Sequence, residues 1–220
     1  MSRIKIILDF LSDLKKNNRK DWMDEHKERY LEAKKEFELL VAVMIDRIAL
    51  IDDYIVGIQP KNCIFRLNRD IRFSNDKRPY KENMGAFIAA DGKKAVDGGY
   101  YIHLEPGQSM LAGGTYMPPS DVLARIRQEI DYNPEGLLSF IKGESFQKYF
   151  GEFAGERLKT APKGYPADHP HIALLNLKSL IVTHSLSDEQ VTDEHFISYA
   201  ERVFRAAKPL NDFLKTAVRE

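Results

Sequence analysis

Apolar residues near both ends of the chain recur every three or four positions, which is the spacing of an amphipathic helix. At the N-terminus this pattern predicts a short helix over residues 4–14 and a longer one over about residues 20–50, a stretch without Gly or Pro. At the C-terminus it predicts helices over residues 193–207 and 209–218. Long helices are therefore expected to flank the middle of the chain.

The middle of the chain changes to a period of two, which is typical of β-strands. Residues 63–73 alternate between an apolar and a charged face, and we expect them to form the first strand of a sheet. Residues 84–89 and 99–104 predict the next two strands, joined by a turn at residues 91–92, and residues 180–184 predict a last one. The sequence thus predicts an α+β fold in which a mainly antiparallel sheet packs against the N- and C-terminal helices.

The composition of the chain argues against nucleic-acid-coating, secreted and membrane-spanning proteins. The 220 residues include 33 basic and 33 acidic side chains, and this balance argues against a surface built to coat nucleic acid or a membrane. Asp9 and Asp13 interrupt the first apolar stretch, unlike the core of a signal peptide, and no run reaches the roughly 18 apolar residues of a membrane span. The single cysteine, Cys63, excludes an intramolecular disulfide. We expect one cytoplasmic domain over residues 1–220.

Positive charge is concentrated on and after the first predicted strand. Residues 61–81 contain seven Lys or Arg against two Asp, in a chain that is neutral as a whole. Side chains on one face of a strand are about 6 to 7 Å apart, so Arg66 and Arg72 can both reach the Asp70 carboxylate or share one anion. An electrostatic partner is therefore expected to bind locally, at this segment.

The same segment carries a resemblance to a known family. In a long motif of charged and aromatic residues the sequence resembles a bacterial family catalogued as domain of unknown function 2461. The motif residues are Arg66, Arg69, Asp70, Arg72, Phe73, Asp76, Lys77 and Tyr80. The likeness extends to residues 18–22, 100–101, 106–107, 113–114, 163–165 and 168–170. The resemblance implies a single α+β domain and no established activity.

Two hypotheses for the function follow, and the sequence leaves open whether the protein is an enzyme. The candidate ligand-binding residues are Arg66, Arg69, Asp70, Arg72, Asp76, Lys77 and Tyr80. In the first hypothesis, Arg66 and Arg72 clamp a small phosphorylated or carboxylated ligand, such as a nucleotide, while Lys77 and Tyr80 cover it. In the second, the basic strip is a non-catalytic interaction module for an acidic protein surface or a nucleic-acid backbone.

The role of Asp70 is also open at this stage. One interpretation is a buried counter-ion that lets two arginines lie across a sheet, because an unpaired buried charge is costly. The other is a carboxylate that orients the arginines in a wet cleft, with a pKa lowered by its neighbours. We expect Arg66 to support Asp70 from behind and Arg72 to face the cleft.

Other chemistry is weakly indicated. The clusters His103-x-Glu105 and Asp168-His169-Pro170-His171 are poor metal sites, so we expect no metal and no cofactor. We interpret the glycine-rich residues 106–114 as a loop without the spacing of a phosphate-binding or dinucleotide-binding fingerprint. Ser109 and Cys63 lack the surroundings of a nucleophile.

Overall fold

In a computed structural model, which describes residues 3–219, the chain forms α-helices and a single four-stranded sheet. The helices are α1 (Arg3–Lys16), α2 (Lys20–Glu25), α3 (Lys27–Ala49), α4 (Pro60–Cys63), α5 (Ser120–Tyr132), α6 (Glu135–Lys142), α7 (Glu144–Tyr149), α8 (Ile172–Leu175), α9 (Asp188–Thr192) and α10 (Phe196–Arg219). The strands are β1 (Met84–Ile88), β2 (Gly99–Leu104), β3 (Ser109–Thr115) and β4 (Leu180–Leu186). Among these residues no helix combines the length and apolar character that a membrane crossing requires.

The sheet is an antiparallel meander, because its strands are neighbours in the order β1-β2-β3-β4. This arrangement confirms the predicted α+β class. The second predicted strand corresponds to β1, and the bounds of β2 are those predicted. The strand β3 lies within the segment that was predicted to be a glycine-rich loop, so that prediction was wrong. Glycine is compatible with a strand where another backbone approaches closely.

That close approach is visible at Gly114. Its φ of 110° disfavours other residues, and a Cβ atom there would lie 2.0 Å from the carbonyl oxygen of Leu180. A side chain at this position would separate the two backbones. Gly114 is thus a requirement of the sheet, and not a signal for a loop.

The contacts of the chain divide it into two compact units. The first comprises residues 1–93, 101–111 and 185–201, and the second comprises residues 94–100, 112–184 and 202–220. Strands β2, β3 and β4 and helix α10 each contribute residues to both units. The single folding domain that we expect from the sequence stays a prediction.

The first unit has a core between α1 and α3. The apolar stripe of α1 is buried, as its period predicts, and includes Ile7, Leu11 and Leu14 at 0% exposure. The predicted long helix over residues 20–50 is interrupted between α2 and α3 at His26. There the imidazole stacks on Trp22 with 4.3 Å between ring centroids, and its Nδ1 lies 2.9 Å from the Trp22 carbonyl oxygen.

The second unit has its own apolar core. Its fully buried members include Ile126, Leu137, Leu175, Val182 and Leu210. The two helices predicted near the C-terminus are one continuous helix, α10, which begins only at Phe196 and includes Pro209. Its apolar stripe continues on both sides of Pro209, so tertiary packing outweighs the helix-breaking tendency of proline.

A buried amide joins α10 to two strands within the second unit. The side chain of Asn211 is 0% exposed; its Oδ1 accepts a hydrogen bond from the Gly114 N–H at 3.1 Å, and its Nδ2 donates to the Gly99 carbonyl at 3.1 Å. Without the Asn211 side chain, the buried Gly114 N–H and Gly99 carbonyl would lose these hydrogen bonds. We conclude that Asn211 replaces backbone pairing at this end of β2 and β3.

Asn211→Ala is expected to lower the free energy of unfolding by about 2 to 5 kcal/mol, because two buried backbone groups lose their partner. The matched control is Asn133→Ala, at an exposed amide bonded to Glu129, with an expected change within about 0.5 kcal/mol. Denaturant unfolding of both variants measures the difference. Equal losses would contradict the structural role of Asn211.

Candidate functional site

The charged segment forms a loop with a hairpin base, and not a strand. Residues 67–81, called the basic hairpin here, are closed by backbone hydrogen bonds from Arg69 N to Pro79 O at 2.9 Å and from Lys81 N to Leu67 O at 2.8 Å. Asn68 and Tyr80 form an antiparallel bridge between these bonds. The predicted first strand over residues 63–73 was therefore wrong.

Local side-chain hydrogen bonds explain this correction. The carboxylate of Asp70 accepts from the Arg72 N–H at 3.3 Å, and that of Asp76 accepts from the Arg78 N–H at 3.0 Å. Ser74 Oγ accepts from the Asp76 N–H at 3.2 Å. Such bonds offer the backbone an alternative to a sheet ladder. The alternation of apolar and charged residues consequently does not create a packed face, and Phe73 at the tip is 96% exposed.

Asn18 holds the base of the basic hairpin in the first unit. Its Nδ2 donates to the Tyr80 carbonyl at 3.0 Å, and its Oδ1 accepts from the Tyr80 N–H at 3.1 Å. The amide thus pairs with Tyr80 as a neighbouring strand would. A primary amide can do this because it carries both a donor and an acceptor.

Tyr80 itself lies below the charged surface. Its side chain is buried and contributes to a cavity of about 180 Å³. The other lining residues are Met23, Asp24, Lys27, Tyr30, Leu67 and Asn68. Burial, together with the charge of Asp24, raises the pKa of the Tyr80 hydroxyl. The cavity is smaller than the sites of most drug-sized ligands, so we regard Tyr80 as a support of the hairpin.

Asp70 is neutralised by Arg72 at the surface. The guanidinium of Arg72 donates two hydrogen bonds, from Nε to Oδ1 at 2.9 Å and from an Nη to Oδ2 at 2.7 Å. The exposed fractions of the two side chains are 43% for Asp70 and 76% for Arg72. These bonds lower the pKa of Asp70, as expected, but the carboxylate is not a buried counter-ion. Its direct partner is Arg72, whereas Arg66 acts only through its charge.

Asp76 is the second anionic centre of the hairpin. Arg69 contacts its carboxylate at 2.5 Å, and Arg78 donates to both of its oxygens from Nε at 3.0 Å. Arg78 also pairs with Glu82. Arg78 first, and then Arg69, hold the pKa of Asp76 well below its usual range. Because Asp76 joins two arginines of the loop, we infer that it contributes more to the hairpin than Asp70 does.

Lys77 also has an internal partner, since its Nζ donates to the Ile71 carbonyl at 3.1 Å. Most of the cations in the motif are therefore already compensated. The exceptions are Arg66 and Lys81, whose side chains make no hydrogen bond or ion pair with any residue in the described range 3–219.

The ammonium of Lys81 lies 5.5 Å from the centroid of the Phe65 ring. Burial, and then the positive charge of Arg66, lower the pKa of Lys81. The side chains of Arg66 and Lys81 are thus neighbouring cations that form no ion pair, although the charge of Arg66 also acts on Asp70. Lys81 lies in the segment predicted to attract an anion, but it was not named as a ligand-binding residue, because the sequence does not reveal its contact with Phe65.

The other candidates do not form a comparable site. Burial raises the pKa of the Cys63 thiol to about 11, so it is a poor nucleophile at neutral pH. His169 bonds through Nε2 to Asp131 at 2.9 Å and accepts from the His171 N–H at 3.1 Å, which occupies both ring nitrogens. Within residues 3–219 no group of three or more His, Cys, Asp or Glu side chains is arranged to hold a metal ion.

Comparison with known proteins identifies the family. The model of the family described as "Conserved hypothetical protein (DUF2461)" matches residues 6–213, and the chain belongs to this family. No curated protein and no solved structure matches the chain.

We expect Asp76→Asn to lower the melting temperature at pH 7 more than Asp70→Asn, because Asp76 holds two arginines and Asp70 holds one. The effect depends on pH with a defined sign. A carboxylate whose pKa is lowered by folding stabilises the protein above its unfolded pKa of about 3.9, and loses that contribution as the pH falls towards the folded pKa. The difference between wild type and Asp76→Asn should therefore shrink below about pH 4.

Thermal melts of the two variants and of wild type between pH 3 and pH 7 make this comparison. Equal losses for the two substitutions would contradict the assignment of Asp76 as the main anionic centre of the hairpin. If the difference in melting temperature between wild type and Asp76→Asn grew towards low pH, the expected direction of the pH dependence would be contradicted.

Proposed function

We propose that this member of the DUF2461 family binds a small anionic ligand, with a phosphate or carboxylate group, between Arg66 and Lys81. The observation that supports this proposal is the pair of neighbouring cations, Arg66 and Lys81, whose side chains form no ion pair within residues 3–219. Two like charges held together destabilise the folded protein, and an anion placed between them removes that cost. The single cysteine, which excludes an intramolecular disulfide, supports a location in a reducing cytoplasm, and the family resemblance implies that this is the cytoplasm of a bacterium.

The chemistry of the two side chains suits a phosphate or a carboxylate. The guanidinium of Arg66 offers a planar fork of donors, and the ammonium of Lys81 adds a compact charge. Lys81 is partly desolvated above Phe65, so its attraction to an anion is screened less by water than that of an exposed lysine. The partial desolvation of Lys81 favours this pair over the exposed cations at the hairpin tip.

The remaining candidate residues surround this pair in a different role. Arg69, Asp70, Arg72, Asp76 and Lys77 are engaged with one another or with the backbone, so an anion must displace a partner to reach them. We therefore assign them to shaping the hairpin. Removal of their charge should alter binding less than removal of Arg66 or Lys81.

A second function is favoured by Phe73. This ring is 96% exposed at the tip of the basic hairpin, and the guanidinium of Arg72 lies 5.9 Å from its centroid. Exposed aromatic rings among cations are used to stack on the bases of single-stranded nucleic acids. The alternative is thus a non-catalytic module that binds a nucleic-acid backbone, or an acidic protein surface, through the tip.

Anion binding is tested by thermal shift with inorganic phosphate, pyrophosphate and citrate, against sodium chloride at equal ionic strength. A ligand of the native state raises the melting temperature with concentration by mass action. We expect at least one of the three anions to do so for wild type. Arg66→Gln and Lys81→Gln should abolish the shift while folding at least as stably, because each removes a repulsion.

Arg72→Gln is the matched control, since it removes one cation of the same hairpin and should keep the shift. Loss of the shift in Arg72→Gln alone would contradict the assignment to Arg66 and Lys81. If none of the anions acts and single-stranded oligonucleotides bind in a manner lost in Phe73→Ser, the second function replaces the first.

A further inference from the structure

A second polar feature of the first unit lies on β2. Tyr101, His103 and Glu105 follow one another with the period of a strand, on the side opposite to the buried Tyr100 and Leu104. The Tyr101 hydroxyl lies 3.1 Å from Nδ1 of His103, and Nε2 of His103 lies 3.0 Å from a carboxylate oxygen of Glu105. The three side chains thus form a continuous hydrogen-bonded row.

The partners determine where the protons lie in this row. A carboxylate only accepts hydrogen bonds, so Nε2 of His103 carries the proton that is donated to Glu105. Nδ1 of the neutral imidazole is then an acceptor, and the Tyr101 hydroxyl must donate to it. The order of hydroxyl, imidazole and carboxylate is that of an activated nucleophile, its base and the group that orients the base.

The surroundings keep the row in place. Lys15 lies 3.6 Å from the other oxygen of Glu105. The Ser109 hydroxyl accepts from the Glu105 N–H at 3.1 Å and donates to the Glu105 carbonyl at 3.0 Å. The exposed fractions of the His103 and Glu105 side chains are only 13% and 16%. Enclosing three polar side chains costs free energy, and the packing of β2 does not by itself require polar residues at these positions.

Space for the hydroxyl is provided by a glycine. A Cβ atom on Gly85 would lie 2.5 Å from the Tyr101 hydroxyl oxygen, so only glycine fits there without displacing the tyrosine. The Tyr101 ring also contacts Phe65 edge-on, with 6.2 Å between centroids. Phe65 is the ring over which Lys81 lies, so the row and the proposed anion site share one aromatic neighbour.

We propose that Tyr101 is a nucleophile for group transfer, with His103 as its general base and Glu105 as the residue that orients His103. The substrate class is an ester of a phosphoric or carboxylic acid. The claim that an anionic substrate lies next to Tyr101 rests on the proposed function. The claim that His103 and Glu105 activate Tyr101 does not.

The step balances without an external oxidant or reductant. The Tyr101 oxygen forms a bond to the phosphorus or carbonyl carbon, and the bond from that atom to the leaving oxygen breaks. The phenolic proton moves to Nδ1 of His103 and then to the leaving oxygen. Water, deprotonated by the same imidazole, afterwards hydrolyses the tyrosyl ester and restores Tyr101.

Burial, and then the charge of Glu105, raise the pKa of Tyr101 to about 12. The hydroxyl therefore keeps its proton at neutral pH until a substrate is attacked. A base within hydrogen-bonding distance is needed to remove that proton, and His103 is in this position. The imidazolium formed at that moment is stabilised by Glu105.

The test uses the full chain and p-nitrophenyl acetate, a neutral ester that does not require Arg66 or Lys81. We expect the transfer of one acetyl group to Tyr101, identified by peptide mass mapping, and a burst of p-nitrophenol of matching amplitude. His103→Gln should slow the labelling of Tyr101 by about 100-fold, the usual contribution of a general base. Gly85→Ala, which displaces the hydroxyl, should slow it as well.

The internal reference is Tyr116, a tyrosine that is 75% exposed and lies outside the row. Faster acetylation of the enclosed Tyr101 than of Tyr116 supports activation by the row. Equal labelling of Tyr101 in wild type and His103→Gln, or labelling of Tyr116 without Tyr101, overturns the proposal. Melting temperatures of the variants show whether a lost label reflects lost folding, and Glu105→Gln provides a second, milder perturbation of the row.

A parallel measurement with p-nitrophenyl phosphate separates this proposal from the anion site. If both hold, Arg66→Gln should slow reaction with the phosphate ester by a larger factor than it changes acetylation by the neutral ester. Acetylation of Tyr101 that depends on His103, with no effect of Arg66→Gln on the phosphate ester, would reject the anion site alone.

Discussion

The repulsion between Arg66 and Lys81 is the constraint on which the candidate site depends. Within the basic hairpin each arginine has a carboxylate partner, and Lys77 has a carbonyl. A chain that places carboxylates so regularly beside its cations leaves this pair without one. Because Lys81 is partly desolvated, keeping it beside Arg66 costs stability.

The backbone at both residues is held in place. Arg66 follows a segment paired with β1 through the bond from Phe65 N to Gly85 O at 3.0 Å, and Lys81 closes the hairpin base on Leu67. Asn18 pins the residue before Lys81 from both sides. These hydrogen bonds fix the backbone at Arg66 and Lys81 and do not involve the two side chains. The backbone at this pair is therefore pre-organised, so little loop ordering remains when an anion binds.

The sequence predicted the regular elements well, because their periods are expressed in burial. The alternation along residues 99–104 gave the bounds of β2, and the stripe of α1 is buried as expected. Local hydrogen bonds outweighed the period at residues 63–73, where Asp70 accepts from the Arg72 N–H, and a second bond of this kind, from the Arg78 N–H to Asp76, follows in the loop. In α10 tertiary packing outweighs the helix-breaking tendency of proline, and the helix continues through Pro209.

The candidate site was predictable only as a list of charged residues. The motif contains the cations, but which of them are neutralised depends on distances that the sequence does not contain. Asp70 pairs with Arg72, two residues away, and leaves Arg66 unpaired, the reverse of the expected roles. The sequence does indicate the polar face of β2, since Tyr101, His103 and Glu105 alternate with apolar residues that are buried. A sequence pattern of this kind cannot distinguish a polar strand face from a hydrogen-bonded relay.

The most direct test of the central claim is the position of a bound anion in a crystal of the protein soaked in sodium tungstate, located by its anomalous scattering. Tungstate is a tetrahedral dianion like phosphate and carries a heavy atom. The account predicts a tungsten site within contact distance of both the Arg66 guanidinium and the Lys81 ammonium, absent in crystals of Lys81→Gln. Tungstate bound at Arg72 or Lys77 on the hairpin tip, with none beside Lys81, would contradict it.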